Sequence, residues 1–396
     1  MKIAGIICEC NPLHGGHLHL MERARADGAD AVVCVMSGCF TQRGEAAVID
    51  PRTRAKMLLE SGGADAVLEL PFPYSASGAD YFAAAGVSIL DRLGVDALWF
   101  GSECGDLSAL RQGAEIALSE SFQNAYRQRC RNRTEGTAEG YLQLLEELGG
   151  PAQLLSNDIL GISYLKALML RGSRMVPVTV KRQGAAYRET NLNPLAYPSA
   201  SALRSALARE GIDAWRPFLS ESLLNLAKKS MEQGTAPADL KCAERAILSH
   251  FRLVSPEALE QAPELQGGLG RRVAEAARSA VSLEALLAAS VTKKYTESRV
   301  RRGILFAMTG VLEADLRREP AYAVLLAANS IGCRFLAERK KLRSIPVVTC
   351  HGDLPDSADA RRQAALTEAA FSLYGLALPS PVSGDFFLRC SSEIVK

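Results

Sequence analysis

Two histidines three residues apart, His14 and His17, stand in the stretch ECNPLHGGH (residues 9–17) beside Asn11, Pro12, Gly15 and Gly16. Imidazoles one helical turn apart can hydrogen-bond the oxygens of a single phosphate from one side, and the two glycines let the backbone approach a ligand closely. The spacing is neither G-x-G-x-x-G nor G-x-x-x-x-G-K-[ST], so the dinucleotide fingerprint and the P-loop both fail on pattern. A His-x-x-His pair can also chelate a metal, but no carboxylate or third histidine is tied to it in sequence, so a phosphate is favoured over a metal here.

The elements around this stretch decide what it can hold. The apolar run IAGII precedes it and HLHLMERARADG, with helical spacing, follows it. It therefore leaves a first strand at its carboxyl end and enters a first helix, where an open α/β sheet presents its ligand crevice. The free N–H groups and partial positive charge of a helix start favour an anion at that place.

From residue 1 to about 210, Val- and Ile-rich runs alternate with amphipathic stretches: KIAGIIC, AVVCVMSG, AVLELP and ALWFGS against PRTRAKMLLESG and ADYFAAAGVSILDRLG. This rhythm predicts an α/β fold, a Rossmann-like parallel sheet covered by helices. MVPVTVKR (175–182) reads as a further strand and the Arg-rich segment 121–150 as inserted helices. Beyond residue 210 the apolar spacing is helical almost throughout. Two domains are expected, 1–210 and a mostly α-helical 211–396, divided near GIDAW (211–215).

Composition bounds the rest. The 396 residues are 48% hydrophobic and 23% charged, the profile of an ordinary globular protein. The longest apolar runs, such as AVVCVM and ALLAAS, fall far short of the roughly 20 residues a membrane span needs, and MKIAGIICECN turns polar too early for a signal peptide. No membrane partner and a cytoplasmic location are expected. Ten cysteines without a C-x-x-C pair read as reduced thiols rather than zinc ligands. The net charge of +2 is uninformative, but residues 293–345 hold twelve Lys or Arg against five Asp or Glu. That local excess suits a surface that meets phosphate or, equally, a solvated helix face.

HxGH after a first strand resembles the nucleotidyltransferase group of the superfamily that includes class I aminoacyl-tRNA synthetases. Further blocks narrow the resemblance to the tRNA(Met) cytidine acetate ligase family: MSGCFTQRGEAAVID (36–50), LELPFPYSASGADYFAAAGVSIL (68–90), LGVDALWFGSE (93–103), SNDILGISYLKAL (156–168), VKRQGAAYRE (180–189), YPSASALR (197–204) and, more weakly, TESRVRRGIL (296–305). The resemblance implies an enzyme that activates acetate with ATP, Mg²⁺ beside the triphosphate, as acetyl-adenylate. The acetyl group then passes to N4 of the wobble cytidine of elongator tRNA(Met). It implies an ATP site formed by Ile7, Cys8, Glu9, Cys10, Asn11, Pro12, Leu13, His14, Gly15, Gly16, His17, Leu18, His19 and Leu20, with His14 and His17 as the catalytic pair at the phosphates. Gly101, Asn157, Arg182, Ser199, Ser201 and Arg204 correspond to further nucleotide contacts. Gln42, Arg43 and Glu45 are expected to face the same crevice, with no role assigned, and Arg299, Arg301 and Arg302 to meet tRNA.

The chain departs from the family pattern where Cys10 and Leu13 replace aromatic residues, Gly15 stands for asparagine, and Arg188 for histidine. Two other classes are compatible with the residues alone. One is a small-molecule nucleotidyltransferase, against which the long basic helical extension counts. The other is a non-catalytic RNA-binding protein, against which the intact HxGH and Arg204 count. No sequence feature sets an oligomeric state.

Overall fold

The computed structural model describes every residue except 132–137, 183–196, 351–352, 389–391 and 395–396. Its first part alternates strand and helix: β1 (Ile3–Cys8), α1 (Gly15–Ala26), β2 (Ala31–Ser37), α2 (Pro51–Glu60), β3 (Ala66–Leu70), α3 (Ala79–Leu93) and β4 (Ala97–Ser102). Then come α4 (Leu107–Leu118), α5 (Glu120–Arg131), α6 (Ala138–Glu147), α7 (Asp158–Arg171), β5 (Val176–Lys181) and α8 (Ala200–Glu210). A helical stretch follows, chiefly α9 (Glu221–Glu232), α10 (Glu244–Leu253), α11 (Leu269–Ser279), α12 (Leu283–Ser290) and α13 (Glu297–Thr309). The chain then returns to strand as β6 (Ala323–Ala328) and continues through α14 (Ser330–Glu338), β7 (Val347–Val348), α15 (Ala358–Leu376) and β8 (Glu393–Ile394).

One sheet holds the strands in the order β5-β4-β1-β2-β3-β6-β7, with β8 also beside β6. The chain steps outward from β1 through β2 to β3, then crosses back to place β4 on the other side of β1. The strand order therefore reverses between β1 and β4, and a crevice opens outside their carboxyl ends. Every residue of IAGIIC, AVVCVMS and AVLEL is buried, as expected of parallel strands covered on both faces. Helix α3 lies so close to β1 that a Cβ on Gly86 would stand 2.6 Å from Ile7 Cδ1. Asp50 starts α2, its carboxylate accepting from the Arg52 and Thr53 amides at 3.0 Å each, with Pro51 at the first helical position, where its missing N–H costs nothing.

The sheet is mixed rather than purely parallel. Strand β6, from the part of the chain expected to be helical, runs antiparallel to β3. Its run AVLLAA is apolar at every position and buried throughout, and such a run has no periodicity to separate strand from buried helix. Asp65 secures the return. Its Oδ1 accepts from Asn329 Nδ2 at 2.9 Å, and its Oδ2 accepts from the Val32 amide at 2.8 Å and from Arg25 at 2.9 Å. Among the described residues no helix is long and apolar enough to cross a membrane.

Helix α14 seats its first turn directly on the backbone at Asp65, and a Cβ on Gly332 would lie 2.0 Å from the Asp65 carbonyl oxygen. A backbone atom cannot rotate away, so Gly332→Ala should destabilise the protein by about 1–3 kcal/mol, the scale of overpacking a tight contact. Urea unfolding measures this, and an unchanged midpoint would contradict the packing described.

Candidate active site at the carboxyl end of the sheet

A cavity of about 320 Å³ lies at the strand ends and is walled by residues from β1, β4, β5, α1, α7 and α8. From the opening stretch it receives Ile7, Cys8, Glu9, His14, Gly16, His17, His19 and Leu20; from elsewhere it receives Gly101, Asn157, Arg182, Ser199, Ser201 and Arg204. Gln42, Arg43 and Glu45 line it too. The other residues of the opening stretch lie behind the wall. Cys10 and Leu13 are fully buried, the chain turning at Cys10 with φ +48°, and Asn11 Oδ1 accepts from the Val48 amide at 2.9 Å. Pro12 and Leu18 are also off the cavity surface, and Gly15 sits beneath Tyr197, where a Cβ would meet the ring at 2.3 Å. The departures at Cys10 and Leu13 thus alter the support of the loop rather than the cavity wall. Arg188 lies outside the described residues.

Both histidines are held in the neutral form. His14 caps α1, its Nδ1 accepting from the Gly16 amide at 3.1 Å, which places its ring hydrogen on Nε2. The His14 and His17 ring centroids are 3.9 Å apart. Burial, reinforced by each neighbouring positive group, holds His14 well below the ordinary imidazole range, with His17 and Arg182 contributing. Burial pushes His17 down to about 4, Cys8 opposing and Arg182 adding to the shift. His17 Nδ1 is buried and has no hydrogen-bond partner among the described residues. Two neutral rings at a helix start can donate to an anion without carrying charge of their own, which Arg182 and Arg204 supply on other walls.

Arg204 and Glu9 join the surrounding loops. Arg204 donates to the Asn11 carbonyl at 2.8 Å, to Glu45 Oε2 at 3.0 Å and to Ser201 Oγ at 3.4 Å, while Ser199 Oγ caps α8 by accepting from the Ala202 amide at 3.1 Å. Glu9 Oε1 accepts from the Gln42 amide at 2.7 Å. Asn157 donates to Glu103 Oε1 at 2.8 Å, and buried Asp158 fixes the turn after β4 by accepting from the Glu103 amide at 2.7 Å. Arg182, at the end of β5, donates its amide to the Ser102 carbonyl at 2.9 Å. A Cβ on Gly101 would stand 3.3 Å from the Arg182 side chain.

Arg54 is the residue that sequence reading missed. It is fully buried and donates to the carbonyls of Ile49 at 2.8 Å, Glu9 at 2.6 Å and Ser37 at 3.0 Å, and also to Gly38. Its signal was an arginine on the α2 stretch PRTRAKMLLE, which looks like any solvated helix charge. Tyr197 and Tyr164, both on the cavity wall, were equally unmarked.

A second, larger cavity of about 870 Å³ adjoins the first and shares Glu45 and Arg204 with it. Its walls come from α8, α9, α12 and α13 and include Leu207, Met231, Leu283, Leu287 and Arg301. All three arginines expected to meet tRNA are paired with a carboxylate. Arg302 pairs with Glu264 at 2.8 Å and donates to the Gln42 carbonyl at 3.3 Å; Arg299 donates to the Glu264 carbonyl at 2.9 Å and pairs with the same carboxylate at 3.5 Å. Arg301 faces the larger cavity and pairs with Glu297 at 2.6 Å. Among the described residues no group of three or more His, Cys, Asp and Glu side chains gathers as metal ligands. A Mg²⁺ entering with ATP would therefore be held by the phosphate oxygens and water rather than by a protein ligand set among these residues.

Comparison with known proteins adds an independent line. The family model described as HIGH Nucleotidyl Transferase matches residues 1–384. The chain is similar to the tRNA(Met) cytidine acetate ligase of Acetivibrio thermocellus, 34% identical over 401 residues and covering 96% of each chain. It is likewise similar to that of Caldanaerobacter subterraneus, 36% identical over 88% of each. Two crystal structures of Thermotoga maritima TmcAL, one apo and one bound with alpha-thio ATP, each superpose with a TM-score of 0.88 at 28% identity over the whole of both chains.

The buried histidines make stability depend on pH. An unfolded chain protonates His17 near the ordinary imidazole value of about 6.5, whereas the folded protein resists until about 4. The unfolded state binds the proton first, so stability is full above that window and is lost as pH falls from about 6.5 to 4. Denaturation at a series of pH values should show this loss, with a shallower slope for His17→Gln; identical slopes would contradict a neutral buried His17.

Proposed function

The chain belongs to the tRNA(Met) cytidine acetate ligase family, and from that premise we propose how its crevice carries out the two steps. The enzyme is an ATP-dependent acetate ligase that forms N4-acetylcytidine. On our reading, ATP lies along the 320 Å³ cavity with its phosphates at His14 and His17. The observation that carries the assignment is the neutral histidine pair at the start of α1, placed where the strand order reverses.

In the first step an acetate oxygen attacks the α-phosphorus and the bond to pyrophosphate breaks. Acetate is already ionised at neutral pH, so no base is required. The work is alignment of two anions and stabilisation of charge on phosphoryl oxygens. The His14 and His17 N–H groups, Arg182 and Arg204 serve that purpose from three sides, with Gly101 and Asn157 at the nucleoside and Ser199 and Ser201 at the start of α8. In the second step the N4 amine attacks the acetyl carbonyl and AMP departs. That amine is a weak nucleophile because its lone pair is delocalised into the ring, so placement supplies much of the rate. It must also be unpaired, which an anticodon-loop cytidine satisfies. Adenylation belongs to 1–210, and the wobble cytidine of elongator tRNA(Met) is presented from the 211–396 side, where Arg301 faces the larger cavity.

Removing either imidazole, as His14→Ala or His17→Ala, should slow acetate-dependent pyrophosphate release about 10²-fold, the scale of losing one preorganised donor; full activity in both would remove the phosphate assignment. With labelled acetate and ATP, mass spectrometry should find the label on elongator tRNA(Met) and none on a variant carrying uridine at the wobble position. Label on the uridine variant, or on a protein side chain, would overturn the acceptor.

A further inference from the structure

The transfer step leaves one proton unaccounted for. When the N4 amine forms its bond to the acetyl carbon, the nitrogen becomes positively charged and must give up a hydrogen before the amide is stable. The first step needs no base, so a residue that takes this proton would be called on only in the second.

The acceptor has to meet the adenylate at the wall that the two cavities share, which consists of Glu45 and Arg204. Around that wall, histidines of the ATP cavity and the carboxylates of Glu45 and Glu9 could take a proton. His14 and His17 stand at the phosphates and are held neutral well below the usual imidazole range, so they are poor proton acceptors. Glu45 is committed to Arg204 at 3.0 Å. Glu9 lines the ATP cavity together with that pair. Its Oε1 is fixed by the Gln42 amide at 2.7 Å, and its Oε2 accepts no hydrogen bond among the described residues.

We propose that Glu9 is the general base of acetyl transfer, its Oε2 accepting the N4 proton of the cytidine. The inference rests on the acceptor reading given above. As the N–C bond forms, the proton passes from N4 to Glu9, the C–O bond to AMP breaks with its electron pair, and AMP leaves as the phosphate anion; Glu9 then returns the proton to water. The charged surroundings suit the task. Burial raises the Glu9 carboxyl, opposed by the Gln42 amide and by Arg204 of α8 and Arg43 of the neighbouring loop, and Glu45 raises it further. The buried Tyr164 of α7 also feels the Glu9 charge. A carboxylate lifted toward neutrality is a better proton acceptor than one in water, and general-base catalysis typically contributes 10²–10⁴-fold.

The test isolates the second step. Enzyme is first charged with ATP and labelled acetate and its bound acetyl-adenylate is measured; elongator tRNA(Met) is then mixed in, and label transfer per bound adenylate is followed across pH. The wild-type rate should rise with pH along an acid limb and then level off. Glu9→Gln, isosteric and still able to accept from the Gln42 amide, should transfer about 10²-fold more slowly and lack that limb, while Glu9→Asp should be slowed and keep it. Transfer by Glu9→Gln at the wild-type rate, or slowed with the limb intact as a positioning role would give, overturns the inference alone. Absence of transfer in the wild-type enzyme overturns the acceptor reading and this inference with it.

Discussion

A single buried guanidinium organises the carboxyl end of the sheet. Arg54 faces four backbone carbonyls, those of Glu9, Ser37, Gly38 and Ile49, which belong to the ends of β1 and β2 and the approach to α2. A charge taken out of water is costly unless its hydrogens are satisfied, and Arg54 satisfies them where parallel strands finish and carbonyls have lost their ladder partners. Nearby Glu69, buried and pushed up to about 7 by that burial, is drawn down by Arg52 and Arg54. The arrangement fixes the backbone of Glu9 and so the point from which the histidine loop departs.

From Arg54 the order spreads outward through short polar links. Glu9 holds the Gln42 amide, the Gln42 carbonyl accepts from Arg302, and Arg302 is held by Glu264. Gly44 permits this approach with φ +72°, a Cβ there meeting the backbone amide of Arg302 at 2.7 Å. The basic stretch TESRVRR therefore has a packing duty at the crevice beside any role toward RNA, and the helical part of the chain is mechanically joined to the cavity at the strand ends.

How much of this could be read from the residues follows from the range of the interactions. Local signals carried well: the βα alternation and the crevice position of HGGH are set by neighbours in sequence. Long-range pairings were not visible. AVLLAA looked helical because its strand identity comes from β3, more than 250 residues away, and Arg54 looked exposed because its partners lie on strands that only the fold assembles. The arginines at 299 and 302 illustrate the same limit, since nothing near them in sequence announces Glu264. By contrast, Gln42, Arg43 and Glu45 reached the cavity as their place after a strand suggested.

The contact between Gly15 and Tyr197 couples two positions 182 residues apart in the chain. The ring of Tyr197 occupies the space that any side chain on residue 15 would need, at 2.3 Å from its Cβ, and it lies 5.9 Å from the ring of His19. The two sites are therefore one steric unit: a sequence that restores asparagine at 15 has to displace the ring or replace it. Substitutions at 15 and 197 should therefore be non-additive, because a side chain on one and the ring of the other claim the same volume.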